Sequence, residues 1–502
     1  MLARAIACSV RGLAGVPVIV EADLANGLPN FTIVGLTDRA IQEARERVKT
    51  AINNSGFTFP SRRLTVNLAP AEVPKEGTGF DLPIAIAVLA IGSPGLELRS
   101  RGFIGELGMD GSVRPVAGVL PMARCLRVAG VRQLMVAVEN AEEAALVDSL
   151  EVVGVSSLQR CVEHLDGTAP LSPTVPGAPL TLPDIADMAA IRGQATAKRA
   201  LEVAAAGGHN LLLVGPPGSG KTMLARAFGS LLPDLTSDES LDVAALYSLR
   251  GALRERPPTA TRPPFRAPHH STSRAGLVGG GTGLAHPGEI SLAHRGVLFL
   301  DEVCEFPRSH LEALRQPLEE RSVTVVRSRG AVSFPADFML VAAANPCPCG
   351  HLGDEVGCSC TPQALSGYIS RLSGPIRDRI DLVVHVPRQH FDDLFGEAAA
   401  ERSCDIRARV EVARALQHDR HRGSGSPCCN AGLEGRELRR LAAPTAAAGR
   451  LLALAGERMR LSGRGYFRVL RVARTIADLR GTPEVDERDV AEALAFRGQE
   501  AS

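Results

Sequence analysis

Leu211-Leu-Leu-Val-Gly-Pro-Pro-Gly-Ser-Gly-Lys-Thr222 joins a short apolar run to a glycine-rich turn and then to a helix-forming segment. The spacing is that of a phosphate-binding loop, G-x-x-x-x-G-K-T, in which Gly215 and Gly220 bracket Pro216, Pro217, Gly218 and Ser219. With no Cβ atoms in the way at the glycines, backbone N–H groups can curl round a triphosphate. Lys221 is placed to neutralise the β- and γ-phosphates and Thr222 to hold Mg²⁺, so ATP with Mg²⁺ is the expected ligand. The helix predicted over Met223 to Leu232 turns its positive end to the same phosphates.

Working outward, Gly296-Val-Leu-Phe-Leu-Asp-Glu302 reads as an apolar strand ending in two carboxylates. Asp301 at the strand end can hold Mg²⁺ through water, and Glu302 can take the proton of an attacking water. Strands often end in acidic turns, so this signal gains its weight from lying downstream of the phosphate loop, beyond a glycine-rich insertion. Phe338-Met-Leu-Val-Ala-Ala-Ala-Asn345 is a third strand, and Ser373-Gly-Pro-Ile-Arg-Asp-Arg-Ile-Asp-Leu-Val-Val384 runs into a fourth. These strands predict an α/β core.

Length and composition bound the rest. At 502 residues the chain exceeds one core, and about three domains are expected. With 45% hydrophobic and 22% charged residues the class is globular, and 56 basic against 55 acidic residues gives no global pull toward nucleic acid or membrane. Any nucleic-acid contact must be local. The first residues lack a secretory pattern, and no apolar run approaches the roughly 20 residues a membrane helix needs, so no membrane partner and a cytoplasmic location are expected. The 11 cysteines then suggest core thiols or metal ligands. Trp is absent and Tyr rare, which argues against a surface built on base stacking.

Residues 1–167 read as a mixed α/β domain. Short β-branched runs at Val18-Ile-Val20 and Phe31-Thr-Ile-Val34 precede a helix over Asp38 to Asn53, and Leu64-Thr-Val-Asn-Leu68 reads as a further strand. Glu76-Gly-Thr-Gly-Phe-Asp-Leu-Pro83 leads into an apolar helix, and Gly105 to Gly118 has the pattern of a hairpin turning at Asp110-Gly111. This succession resembles the proteolytic domain of Lon proteases, a fold related to ribosomal protein S5. Lon-type proteases place a serine in a G-P-S-A-G turn and a lysine shortly after the hairpin; here Gly79 and Leu120 stand in those places. A serine nucleophile needs a neighbouring base, and both partners are missing, so the domain is read as a non-catalytic scaffold or a site for a protein partner.

Five prolines between Thr168 and Pro183 mark residues 168–183 as an extended linker. The segment that follows resembles AAA+ ATPases, with an adenine-side stretch at Asp184 to Gly193 and a helix over Gln194 to Ala206. That resemblance implies an ATPase core with a parallel sheet over 184–388 and a helical lid over 389–502. It makes Asn345 the first sensor, orienting the attacking water. Arg379 takes the place of the arginine finger that reaches the γ-phosphate of a neighbouring subunit, with Arg377 as the fallback. In the amphipathic helix from Gly465 to Leu479, Arg464 stands at the start and Arg468 and Arg471 one and two turns on. One of them is expected to reach back to the nucleotide, Arg464 first.

Taken whole, the chain resembles the ComM (YifB) subfamily of magnesium-chelatase-like AAA+ ATPases. The carrying residues are Phe31-Thr-Ile-Val-Gly-Leu36, Val66-Asn-Leu-Ala-Pro70, Arg266-Ala-Pro-His-His-Ser271, Pro287 to Gly296, Asn345-Pro-Cys-Pro-Cys-Gly350 and Arg471-Val-Ala-Arg-Thr-Ile-Ala477. The resemblance implies a ring of identical subunits, a hexamer, with ATP sites at subunit boundaries, and DNA helicase action in branch migration. Two features stay open at this level. Cys347, Cys349, Cys358 and Cys360, in an insertion over 346–361, are either four thiolates of a structural Zn²⁺ site, with His351 as a substitute ligand, or reduced core thiols. Glu320 to Phe334 reads as a hairpin tipped by Arg327 and Arg329, which either contact DNA phosphates or are solvated. The substrate is accordingly DNA, or else a protein remodelled by a chelatase-type motor.

Overall fold

The computed structural model describes residues 2–35, 38–72, 75, 77–93, 95–182, 186–253, 255–281, 285–327, 330–353, 357–372, 374–389, 401–421 and 429–497. Arg329, Cys428 and the side chain of Arg327 lie outside the described residues.

The front domain carries β1 (Leu2–Arg11), β2 (Ala14–Ala25), β3 (Asn30–Val34), β4 (Arg63–Ala69), β5 (Arg101–Ile104), β6 (Glu106–Leu107), β7 (Val113–Arg114), β8 (Gln133–Ala137) and β9 (Glu151–Val155). Seven of them form one mixed sheet in the order β3-β4-β2-β1-β5-β8-β9. Alternation decides the faces: Leu64, Val66 and Leu68 of β4 are fully buried while the residues between them are partly open. Helix Asp81–Gly92 is apolar on every side because it is buried nearly all round, sharing a core with helix Asp38–Asn54 and one sheet face. The hairpin β6–β7 turns at Asp110-Gly111, where Gly111 has a φ of +84°.

The second unit holds β10 (Leu211–Val214), β11 (Phe265–Arg266), the short pair β12 (Gly279–Gly280) and β13 (His286–Pro287), then β14 (Val297–Leu300), β15 (Ser322–Arg327), β16 (Gly330–Pro335), β17 (Met339–Ala344) and β18 (Leu382–His385). Its central sheet runs β11-β14-β17-β10-β18 with every neighbouring pair parallel. Helices cover both faces, which is why β10, β14 and β17 are continuous apolar runs. β15 and β16 form a separate antiparallel hairpin. The fold is α/β, as the sequence predicts, and the C-terminal part is helical: Ser403–His421, Gly435–Leu441, Ala446–Arg458, Gly463–Leu479 and Glu487–Ala495. These helices share one core with a face of the parallel sheet.

Local departures have local causes. The helix after the phosphate loop begins at Lys221 and gives way after Phe228 to a single 3₁₀ turn, Gly229–Leu231. Part of the 184–193 segment is a 3₁₀ turn at Met188–Ala190, capped by the Asp187 carboxylate. The proline-rich segment is pinned at two points: Thr174 donates its N–H to the Val152 carbonyl and Leu180 bridges to Ala260. Two contacts seat the front domain on the second unit. Helix Val119–Val128 packs on helix Ser237–Arg250, where Gly118 N–H donates to the Ser248 carbonyl (3.0 Å) and Arg124 pairs with Asp242 (3.0 Å). The β1–β2 turn lies against the hairpin, so close that a Cβ on Gly12 would stand 2.9 Å from Val332.

Candidate functional site

Three parallel strands end together, and their ends carry the chemistry. Beyond β10 the loop Gly215–Gly220 folds under the start of helix Lys221–Phe228. Gly218 and Gly220 have φ of +78° and +92°, and a Cβ on either would meet nothing within 4 Å, so the loop faces an open cradle. Gly215 is glycine for another reason, since a Cβ there would collide with the Val386 carbonyl. Lys221 Nζ is folded back, donating to the carbonyls of Gly215 (2.7 Å) and Pro216 (2.9 Å) and to Asn345 Oδ1 (3.2 Å). Burial lowers its pKa, against the pull of the Asp301 and Glu302 carboxylates.

Thr222 Oγ1 donates to Asp301 Oδ2 at 2.9 Å, which brings a hydroxyl and a carboxylate together at the loop. Two hard oxygen donors beside a phosphate cradle fit Mg²⁺ held jointly by protein and phosphate. Glu302 follows in the left-handed region at φ +49°, with its side chain more than half exposed and its N–H donating to Asp301 Oδ1. For a residue other than glycine this conformation costs about 1–3 kcal/mol. His270 Nδ1 stands 3.9 Å from it, a neighbour the sequence reading missed; the Arg266-Ala-Pro-His-His-Ser271 motif was the available signal. Gln194, left-handed at φ +54°, donates through Nε2 to the Pro387 carbonyl (2.8 Å) and ties the helix start to the end of the β18 segment.

Immediately after Asn345 the chain enters the cysteine segment. The sulfurs of Cys347, Cys349, Cys358 and Cys360 all lie within 4.8 Å of one another. Cys347–Cys349 is 3.3 Å, and Cys358 is 3.7 Å from each of them. The pKa of Cys349 falls to about 5, because the backbone N–H groups of His351 and Ser359 donate to its sulfur.

The arginines lie elsewhere. A cavity of about 850 Å³ opens at the other ends of the same strands, lined by Asn210 before β10, Phe338 before β17 and Asp381 before β18, and by Arg379, Arg464 and Arg471. Arg379 pairs with the Glu319 carboxylate, and its pKa is lowered by burial and by the nearby charges of Arg315 and Arg464. Arg464, in the first turn of helix Gly463–Leu479, lines this cavity beside Arg379, at the end of the sheet away from the phosphate loop. Arg468 is buried and donates to the carbonyls of Ile380 (3.0 Å) and Arg377 (3.3 Å), and Arg471 donates to the Leu433 carbonyl, so both brace loops. Arg315 joins the cluster without a sequence signal of its own.

In the front domain, Gly79 donates no side chain and its carbonyl accepts from Gly105 N–H (3.1 Å). Leu120 is buried against Ala244 and Ala245, so the place a lysine takes in the related proteases serves here to dock the domain. Among the described residues, no helix is long and apolar enough to cross a membrane.

A phosphate loop, a strand ending in Asp-Glu, a strand ending in Asn and a helical lid on a five-stranded parallel sheet define a P-loop ATPase of the AAA+ class. The family described as "Magnesium chelatase, subunit ChlI" matches residues 187–394; its companion descriptions, "Subunit ChlI of Mg-chelatase" and "Magnesium chelatase, subunit ChlI C-terminal", match 20–140 and 400–497. The chain is 46% identical over 500 residues to an uncharacterized protein of Mycobacterium tuberculosis (99% of this chain, 98% of that one). It is 42% identical over 489 residues to the competence protein ComM of Haemophilus influenzae (96% and 94%) and 40% identical to the uncharacterized protein YifB of Escherichia coli (97% and 95%). A stretch of 123 residues is 23% identical to Lon protease 2 of Bacillus subtilis, covering 24% of this chain and 22% of that one. The chain belongs to the ComM-like subfamily of the magnesium-chelatase-like AAA+ ATPases.

Proposed function

We propose that the protein is an ATP-driven motor that works as a ring, a hexamer by kinship, on DNA during its uptake or recombination. The observation that carries the ring is the separation of the two halves of the ATP site. The phosphate loop, Asp301, Glu302 and Asn345 gather at one end of the parallel strands, while Arg315, Arg379 and Arg464 gather at the other. Four residues of β10 span about 13 Å, so these arginines serve a phosphate only if it belongs to another copy. A heterologous, head-to-tail contact of this kind gives a ring when its rotation closes on itself.

Within one site, Lys221 exchanges the carbonyls of Gly215 and Pro216 for phosphate oxygens, and the open cradle at Gly218 and Gly220 supplies backbone N–H donors. Thr222 and Asp301 would hold Mg²⁺, which would supply positive charge to the phosphates. Asn345 orients the water, Glu302 takes its proton, and the neighbour's Arg379 and Arg464 stabilise the charge that spreads over the transferred phosphoryl group. The four cysteines would hold one Zn²⁺, which would supply structural cross-links and take no part in the reaction.

The DNA reading rests on kinship with a competence protein and on the hairpin β15–β16, whose Val326 is 73% exposed just before Arg327. Arg327 and Arg329 are assigned to phosphate contacts without sequence preference. ATPase rate measured alone, with single-stranded DNA and with branched DNA tests it. Stimulation by branched DNA is expected; a rate indifferent to every DNA would shift the reading to a protein substrate.

A further inference from the structure

We propose that the metal held by the four cysteines is a brace for the ATP site, so that its occupancy governs how tightly the phosphate loop holds a nucleotide. The inference rests on the zinc reading above and adds to it a coupling between two sites. Tetrahedral Zn²⁺ with bonds of about 2.3 Å to sulfur requires sulfur–sulfur separations of about 3.8 Å. The observed 3.3, 3.7 and 3.7 Å among Cys347, Cys349 and Cys358 meet that requirement with little movement. Cys360 N–H donates to Cys358 Sγ at 3.4 Å, and Gly350 N–H donates to the Cys347 carbonyl at 3.0 Å in a turn that Gly350 closes with a φ of +83°.

Two contacts carry the state of this knot to the nucleotide. The first is covalent: Cys347 lies two residues beyond Asn345, whose Oδ1 accepts from Lys221 Nζ at 3.2 Å. The second is steric: the backbone of Gly350 lies on the ring of Pro217, in the phosphate loop, so closely that a Cβ on Gly350 would be 2.5 Å from Pro217 Cδ and 2.8 Å from Pro217 Cγ. The cysteine turn therefore forms one wall of the phosphate loop and the anchor of its lysine's partner. With the metal in place both are fixed. With the metal removed, the turn that touches Pro217 loses the bonds that hold it closed.

The test uses the full-length chain, prepared reduced and without chelator, and measures metal by mass spectrometry and nucleotide affinity by fluorescence of mant-ADP. One zinc per chain is expected. Stripping it with a thiol-reactive mercurial and chelator, then restoring thiols, should weaken mant-ADP binding by about tenfold, and added Zn²⁺ but not Mg²⁺ should restore it. Because stripped protein can unfold, a second measurement keeps the fold intact: with Co²⁺ in place of zinc, ADP should shift the thiolate-to-cobalt absorption, as reciprocal coupling demands. A chain that binds neither zinc nor cobalt overturns the metal reading and the coupling together. Stoichiometric zinc with a cobalt spectrum blind to ADP overturns the coupling and leaves the metal standing.

Discussion

Replacing Arg379 by alanine separates the act of binding ATP from the act of hydrolysing it. In its own chain the residue pairs with Glu319, whose side chain is more than half exposed; such a pair is worth about 1 kcal/mol at most, so the variant should fold. Its own phosphate loop is about 13 Å away along β10, so mant-ATP affinity should change by less than about threefold. Hydrolysis should fall about 10³-fold or more, which is about 4 kcal/mol of lost transition-state stabilisation. Mixing Arg379→Ala with Lys221→Ala then gives a quantitative readout. A boundary is competent only when the phosphate loop comes from the first variant and the arginine from the second, which at equal amounts is about one boundary in four, whatever the ring size. Phosphate release at a series of mixing ratios should therefore trace an arch peaking at equal amounts, near a quarter of the wild-type rate. Activity that stays flat across all ratios, with subunit exchange demonstrated, would refute the assignment of Arg379 to a neighbour's site.

Lys221→Ala should abolish measurable nucleotide binding, whereas Glu302→Gln should bind normally and hydrolyse about 10² to 10⁴ times more slowly; equilibrium binding and single-turnover rates distinguish them. Arg468→Met takes one donor each from the carbonyls of Ile380 and Arg377, which keep Arg497 Nη1 (3.4 Å) and the Ile380 N–H (3.2 Å), and should cost about 1–2 kcal/mol, read as a lowered unfolding midpoint in urea. His294 is buried and accepts from the Asp337 N–H at Nδ1, and burial lowers its pKa from 6.5 to about 4. The unfolded chain thus binds the proton first as pH falls, so stability should drop between pH 6.5 and 4 by up to roughly 3 kcal/mol, and His294→Asn should flatten that slope. Equal urea midpoints at pH 7 and pH 5, for wild type and variant alike, would contradict the buried neutral histidine.

What the sequence disclosed is what depends on local spacing. The run from Gly215 to Thr222 specifies a phosphate loop, apolar runs mark the strands, and paired C-x-C turns bring four sulfurs together. What it hid depends on packing between distant segments. Arg464, Arg468 and Arg471 look alike along one helix, and all three line one cavity, yet the angle at which that helix meets the sheet makes two of them braces for backbone carbonyls as well. Leu120 reads as a missing lysine until helix Ser237–Arg250 is laid against it. Arg315 and His270 enter only because other elements carry them beside Arg379 and Glu302.

The seam beneath the front domain bears on how the protein can be dissected. Leu120 covers Ala244 and Ala245, and Val10 and Leu13 pack against the core of the second unit. A chain cut at the proline-rich linker would bare that oily strip, and its clumping or sluggish turnover would report the wound and not the missing domain's task. Charge reversal at Arg124, on the rim beside Asp242, loosens the same seam while leaving its apolar floor roofed. Point changes along the rim are thus the scalpel for asking what the front domain does, and deletion is the saw.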